Sequence, residues 1–326
     1  MDAALVSIVT PCLNPGERLV RCLDSVAAQT YPHVEHLVID GGSTDSTVEL
    51  LRERGIRFVS EPDRGQTDAI NKGFALGRGA WLGWLNADDV LMPQAVELAL
   101  VGLEAVPSAG WAYGDNDLWR DGDRRESTSR PPAHVDASAL ENGNLIPQAG
   151  SVIARWALDR IGPLDEELDL AMDYDLWLRL IDAGVPGVYV PDTLAAFELH
   201  GESKSGSIDR SEFRLEWARV LLKSGRGESA ALMLGRAAAA AAQPEGRRIE
   251  PSRLEDEIAR MTALVHGMDV RTVRVSAYAE AALLELHLRP RGFRYLLRPE
   301  AWSMRDTRGR LAGAFARGLA RRLVKR

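Results

Sequence analysis

The chain has 326 residues, 45% hydrophobic and 27% charged, which suits a soluble globular protein of one large domain or two. Its net charge of −7 is uneven: residues 305–326 hold eight basic residues against one acid, so that tail is +7 and the rest −14. An acidic body excludes a general basic field for nucleic acid, and the lack of an apolar run of about 18 residues excludes a transmembrane helix. Two cysteines, Cys12 and Cys22, fit a reduced cytosolic protein better than a disulfide scaffold. No basic-then-apolar start marks a secretory signal.

Leu5 to Thr10 is β-branched and apolar and predicts a first strand, stopped by Pro11. Arg18 to Gln29 carries Leu19, Cys22, Leu23 and Val26 at helical spacing. His36 to Ile39 predicts a second strand, ending in the turn-rich Asp40-Gly41-Gly42-Ser43-Thr44-Asp45, where Ser43 or Asp45 would cap the next helix. Ile56 to Val59 follows as a strand, then the loop Glu61 to Gln66, a helix over Asp68 to Leu76 and a buried strand from Trp81 to Leu85. Further on, Trp111 to Tyr113 predicts a strand, Asp115 to Pro132 an exposed hairpin or loop, Asp165 to Ala183 a helix, and Val188 to Val190 a short strand. Strands alternating with helices predict an α/β fold with a mostly parallel sheet. From about Ser211 alanine, leucine and arginine dominate, which predicts helices. The expected division is 1–206 and 207–326.

Chemistry concentrates at the ends of these strands. Asn86-Ala87-Asp88-Asp89 follows a buried strand, where an open α/β sheet presents its ligands. Adjacent carboxylates repel, so the pair calls for a cation, and a divalent metal holding a diphosphate would supply it. Asp40 ends the second strand before two glycines that let backbone approach a ligand, and its carboxylate can accept a hydrogen bond from a base or ribose. Asp173 and Asp175 lie together on the predicted helix, and His200 and Lys204 lie in a polar loop able to close over phosphates.

Val9 to Asn14, Asp40 to Asp45, Ala69-Ile70-Asn71-Lys72-Gly73, Asn86 to Asp89 and Met172 to Arg179 are, in that order, similar to the motifs of the family 2 inverting GT-A glycosyltransferases, with bacterial O-antigen and surface-polysaccharide enzymes the nearest resemblance. The resemblance covers roughly residues 4 to 206. It implies a GT-A domain followed by a helical extension. It also implies a nucleotide-sugar donor, UDP-linked by expectation, a saccharide or lipid-linked acceptor, and Mg²⁺ or Mn²⁺. Thr10, Pro11, Asn14 and Asp40 would line the nucleoside pocket, with Arg64 near base or diphosphate. Asn86 would reach the ribose. Asp88 would bind the metal, and His200 and Lys204 would hold the diphosphate. Asp173 would be the general base, with Asp175 as the alternative, and Trp177 and Arg179 would shape the acceptor side. Three positions depart from the family pattern: Gly41 stands where a second acid is usual, Asn86 replaces the first acid of the Asp-x-Asp motif, and Met172 replaces a glutamate.

Leu311, Phe315, Leu319 and Leu323 recur every fourth residue among arginines and lysines. That pattern suits either an anionic membrane surface or a helix docked on the protein body. The expected location is therefore the cytoplasm, including the inner face of its membrane. A nucleotidyltransferase would want a glycine- and lysine-bearing loop after the first strand, and Pro11 to Arg18 has one glycine and no lysine. A weakly catalytic membrane-assembly scaffold is the other rival. No Gly-x-Gly-x-x-Gly follows the first strand, against a dinucleotide-binding oxidoreductase.

Overall fold

The computed structural model describes residues 4–120, 124–201, 203–204, 210–243, 249–265 and 268–288. The basic tail lies outside them. Met1–Leu140 with Asn144–Ser207 form one compact unit, and Glu141–Gly143 with Ile208–Arg326 another.

The first unit is built on a nine-stranded sheet with strand order β3-β2-β1-β4-β8-β6-β9-β5, and β7 hangs on β6. Its strands are β1 (Val6–Cys12), β2 (Val34–Asp40), β3 (Arg57–Ser60), β4 (Trp81–Trp84), β5 (Val90–Leu91), β6 (Trp111–Arg120), β7 (Arg124–Ser129), β8 (Val152–Ala154) and β9 (Gly187–Leu199). The helices are α1 (Arg18–Ala27), α2 (Thr47–Glu53), α3 (Gln66–Leu76), α4 (Ala95–Ala105), α5 (Ala137–Leu140), α6 (Arg155–Ile161) and α7 (Met172–Asp182). β1 pairs in parallel with β2 and β4, and β2 with β3. Their carboxyl ends therefore share one edge. β8 runs antiparallel to both β4 and β6, and β9 parallel to β6. Two reversals in succession turn β6 and β9 back to the direction of β4, so the end of β9 reaches that same edge.

Strand β1 runs through Pro11 instead of stopping there. Successive residues of a parallel strand address opposite neighbours, and Val9 O already accepts from Leu85 N on the β4 side. Pro11 faces that same side, where β4 has ended, so its missing N–H costs no ladder bond. Helix α3 lies close to β1 because position 73 has no side chain: a Cβ on Gly73 would stand 2.2 Å from a Val9 methyl carbon. Gly65 starts α3 at φ 119°, a conformation side chains rarely adopt.

Two further segments differ from expectation. β6 extends to Arg120, and Asp115, Asn116 and Asp117 within it are buried. They are satisfied locally: Tyr189 donates to Asp115 at 2.6 Å, Thr128 to Asp117 at 2.6 Å, and the Asn116 amide to Ala149 O at 2.9 Å. Helix α7 begins at Met172, not Asp165.

The second unit contains α8 (Arg210–Lys223), α9 (Gly227–Ala241), α10 (Pro251–Ala263) and α11 (Val270–Leu288). Helix α9 lies close to α11 at Gly235, where a Cβ would meet Ser276 Cβ at 2.5 Å. Among the described residues, no helix is long and apolar enough to cross a membrane.

Candidate active site

The shared sheet edge gathers the loops after β1, β2, β3 and β4 with the end of β9. Asn14 clamps the first two. At φ 47°, it points its side-chain oxygen at Thr44 N (2.8 Å) and Asp45 N (3.3 Å), and its own N–H donates to Ser43 Oγ at 2.7 Å. Asn tolerates this left-handed backbone better than most residues. Asp45 accepts from Thr47 N at 3.0 Å at the start of α2, while Ser43 turns the other way, to Asp40.

The nucleoside-side expectations need correction at two residues. Asp40 is fully buried, and its carboxylate is taken by Ser43 N (3.1 Å), the Ser43 hydroxyl and Ser60 Oγ (2.6 Å). It shapes the turn and offers no free oxygen to a base. Thr10 is also fully buried, bonded to His36 Nε2 at 2.9 Å and turned toward Cys22. Pro11 is buried at the end of the strand, and Leu13 beyond it is exposed. Burial raises both thiols, Cys22 to about 12, so Cys12 and Cys22 are core residues.

Gly41, where a second acid is usual, is occupied from the side. A Cβ there would stand 2.7 Å from Asp63 Oδ2. Asp63 sits in the loop after β3, with Oδ1 accepting from Gly65 N at 2.9 Å. Arg64 next to it is exposed and pairs with Asp68 at 2.9 Å and Glu166 at 2.6 Å.

After β4 the acids separate in character. Asp89 is buried, with its oxygens accepting from Asn86 Nδ2 at 3.0 Å and Glu198 N at 3.3 Å. Burial, then the neighbouring Asp88 charge, pushes its carboxyl well above the usual range. It ties the turn to β9. Asn86 stands between Asp89 and Gln66, whose amide donates to Asn86 Oδ1 at 2.8 Å. An acid at 86 could accept from Gln66 but could not donate to Asp89. Both ends of Asn86 are thus engaged, which corrects the expected ribose contact. Asp88 is left facing outward, and His200, just past β9, brings Nε2 to 3.0 Å from Asp88 Oδ2. Lys204, expected at the diphosphate, instead places Nζ 2.5 Å from Asp169 Oδ1.

Helix α7 supplies the third acid. Asp175 is buried and paired with Arg179 Nε at 2.7 Å, one turn along. Asp173 is half-buried, and its oxygens accept from Tyr174 N at 2.7 Å and Asn144 Nδ2 at 2.7 Å. Burial pushes its carboxyl up to about 6, against those two hydrogen bonds. Met172, where a glutamate is usual, sets its sulfur against the Thr67 hydroxyl, which donates to Leu168 O at 2.8 Å. Of the two acceptor-side candidates, Trp177 fails on burial, and half-buried Arg179 is committed to Asp175. Trp177 is fully buried and stacked 5.1 Å from Trp111, and Arg179 also donates to Ile161 O at 2.9 Å. Both are framework that holds α7 in place.

Four contributors had no role in the sequence reading: Asn144, Gln66, Asp63 and Asn71, which grips Leu164 with both ends of its amide at 2.9 Å. All are polar, and three lie in loops or at a helix start where periodicity carries no signal. Only Asn71 falls inside a quoted motif.

A family model described as glycosyl transferase family 2 matches residues 7–144. The PGL/p-HBAD biosynthesis glycosyltransferase of Mycobacterium tuberculosis is 41% identical over 188 residues, covering 55% of this chain and 70% of that protein. Chondroitin synthase of Escherichia coli is 32% identical over 208 residues, 62% of this chain, and the chain spans only 30% of its length. The crystal structure of S. aureus TarS 1-349 in complex with UDP-GlcNAc superposes with TM-score 0.59 at 16% identity, over 84% of this chain and 91% of that one. The mannosyltransferase PcManGT from Pyrobaculum calidifontis, in complex with GDP-Man and Mn²⁺, matches with TM-score 0.54 at 16% identity, over 97% and 87%. These likenesses establish the GT-A fold. Its motifs, its fold and its 41% identity to a relative that it covers by 70% together show that the chain belongs to the family 2 glycosyltransferases.

Proposed function

We propose that the chain transfers a sugar from a UDP-class nucleotide-sugar to a saccharide or lipid-linked saccharide in surface-polysaccharide assembly, with inversion. Residues 1–206 would hold the chemistry. The observation that carries this reading is the approach of His200 Nε2 to Asp88 Oδ2 at 3.0 Å, on the edge where the loops of β1 to β4 converge. Among the described residues no three His, Cys, Asp or Glu side chains converge on an ion. Asp88 and His200 meet each other at 3.0 Å, a separation that would also suit neighbouring ligands of an octahedral ion with bonds of about 2.1 Å. Mg²⁺ and Mn²⁺ accept such partial protein shells and complete them with substrate phosphates. Asp88 and His200 would hold the metal, which when bound neutralises the leaving diphosphate.

Asp173 is the base in this reading. Its partners are neutral N–H groups, whereas Asp175 is committed to Arg179. A carboxyl near 6 is ionised at neutral pH yet basic enough to take a hydroxyl proton. The acceptor O–H proton passes to Asp173 and the acceptor oxygen bonds the anomeric carbon. The bond from that carbon to the diphosphate breaks on the opposite face, and its electron pair leaves with the diphosphate.

The test is a UDP-sugar panel with Mn²⁺, scored by UDP release, with Asp173→Asn alongside. One donor is expected to give release that chelator abolishes. Asp173→Asn should lose about 10²–10⁴-fold in transfer, the range of general-base catalysis. Release from no donor would refute the donor class, and full transfer by Asp173→Asn would refute the base.

A further inference from the structure

We infer that Asn144 is a positioning residue for the general base: its carboxamide N–H, 2.7 Å from Asp173 Oδ2, holds the carboxylate in the rotation from which it takes the acceptor proton. The inference rests on the reading of Asp173 as base given above.

The amide's orientation is set by a second contact. Asn144 Oδ1 accepts the Ile146 N–H at 3.1 Å, so the nitrogen end faces Asp173. The same segment is anchored to the first turn of α7 a second time, by the Tyr174 hydroxyl on Leu140 O at 2.6 Å. Tyr174 is fully buried, so that anchor is shielded from water. The Tyr174 N–H addresses the other oxygen, Oδ1, at 2.7 Å. Both carboxylate oxygens are therefore held by N–H donors, Oδ2 by the Asn144 side chain and Oδ1 by backbone.

Three charged groups of the neighbouring elements have partners of their own. Asp175 pairs with Arg179. Arg155 of α6 donates to the carbonyls of Phe74, Gly77 and Gly79. Asp136, before α5, accepts from Ser138 and Ala139. Asn144 is the one side chain bonded to Asp173 among the described residues, and α5 carries no charge.

Asn144→Asp separates positioning from loop structure. It keeps an acceptor for Ile146 N–H, but it removes the donor and sets a carboxylate against Asp173. Carboxylate ¹³C NMR of the full chain, with the Asp173 resonance assigned through Asp173→Asn, is expected to show Asp173 titrating higher by about one pH unit or more, the size of one hydrogen bond to a charged group. UDP release should fall at least about tenfold at pH 7, with its acid limb displaced upward and the donor KM unchanged. Asn144→Ala, which adds no charge, is read the same way if the aspartate variant does not fold. An unshifted Asp173 titration in either folded variant overturns the inference while leaving Asp173 as base. Full transfer by Asp173→Asn overturns both.

Discussion

Glu35 can be removed with a calculable effect at the opposite end of the sheet from the active site. It lies at the start of β2 with its side chain 5% exposed. It accepts from Ser7 Oγ at 2.8 Å, Arg78 N at 2.8 Å, Arg78 Nε at 2.6 Å and Arg57 Nη1 at 2.9 Å. Burial alone would raise its carboxyl, but these donors outweigh it and bring it from 4.5 to about 2. At about 1.36 kcal/mol per pH unit, that displacement is worth roughly 3 kcal/mol. Because the folded value is the lower one, the stabilisation is complete well above pH 4.5 and is lost as pH falls toward 2. Glu35→Gln should therefore cost roughly 3 kcal/mol at pH 7 and about 1.5 kcal/mol at pH 3. Urea unfolding followed by tryptophan fluorescence is the assay, since Trp81, Trp84, Trp111, Trp119, Trp156 and Trp177 lie in the first unit, six of the eight tryptophans. A gap between wild type and variant that stays constant from pH 7 to pH 3 would show the ionised form of Glu35 is not what stabilises the fold.

Two further outcomes are expected. Asn86→Asp, which restores the usual acid of the motif, should lower stability by about 1–3 kcal/mol in urea, because a donor 3.0 Å from buried Asp89 becomes a second acceptor; an equally stable and more active variant would show Asn86 is a mere loss. If the basic tail docks on an anionic surface, deleting residues 305–326 abolishes sedimentation with vesicles containing anionic lipid, and undiminished sedimentation shows that it does not.

The sheet edge was legible because β1 to β4 are apolar runs broken by turn residues, and Asp88 stands out at the end of one. Asp175 and Arg179 stand four residues apart on one helix, the spacing at which side chains meet, and they pair. Polar β6 was read as surface because burial of Asp115, Asn116 and Asp117 depends on partners far along the chain, such as Tyr189 and Ala149. Three-residue β8 is too short for periodicity to register. Thr10, Asp40 and Trp177 were assigned by motif position, and motif position does not say which face of a strand or helix meets solvent. Asn144 carries no local mark, since its meaning comes from a helix 29 residues away in the chain.

The contact between Gly41 and Asp63 bears on engineering. With Asp63 Oδ2 standing 2.7 Å from where a Cβ would sit, positions 41 and 63 behave as one epistatic unit. Restoring the common acid at 41 alone sets two carboxylates in one space, so consensus design on this chain has to change the two positions together.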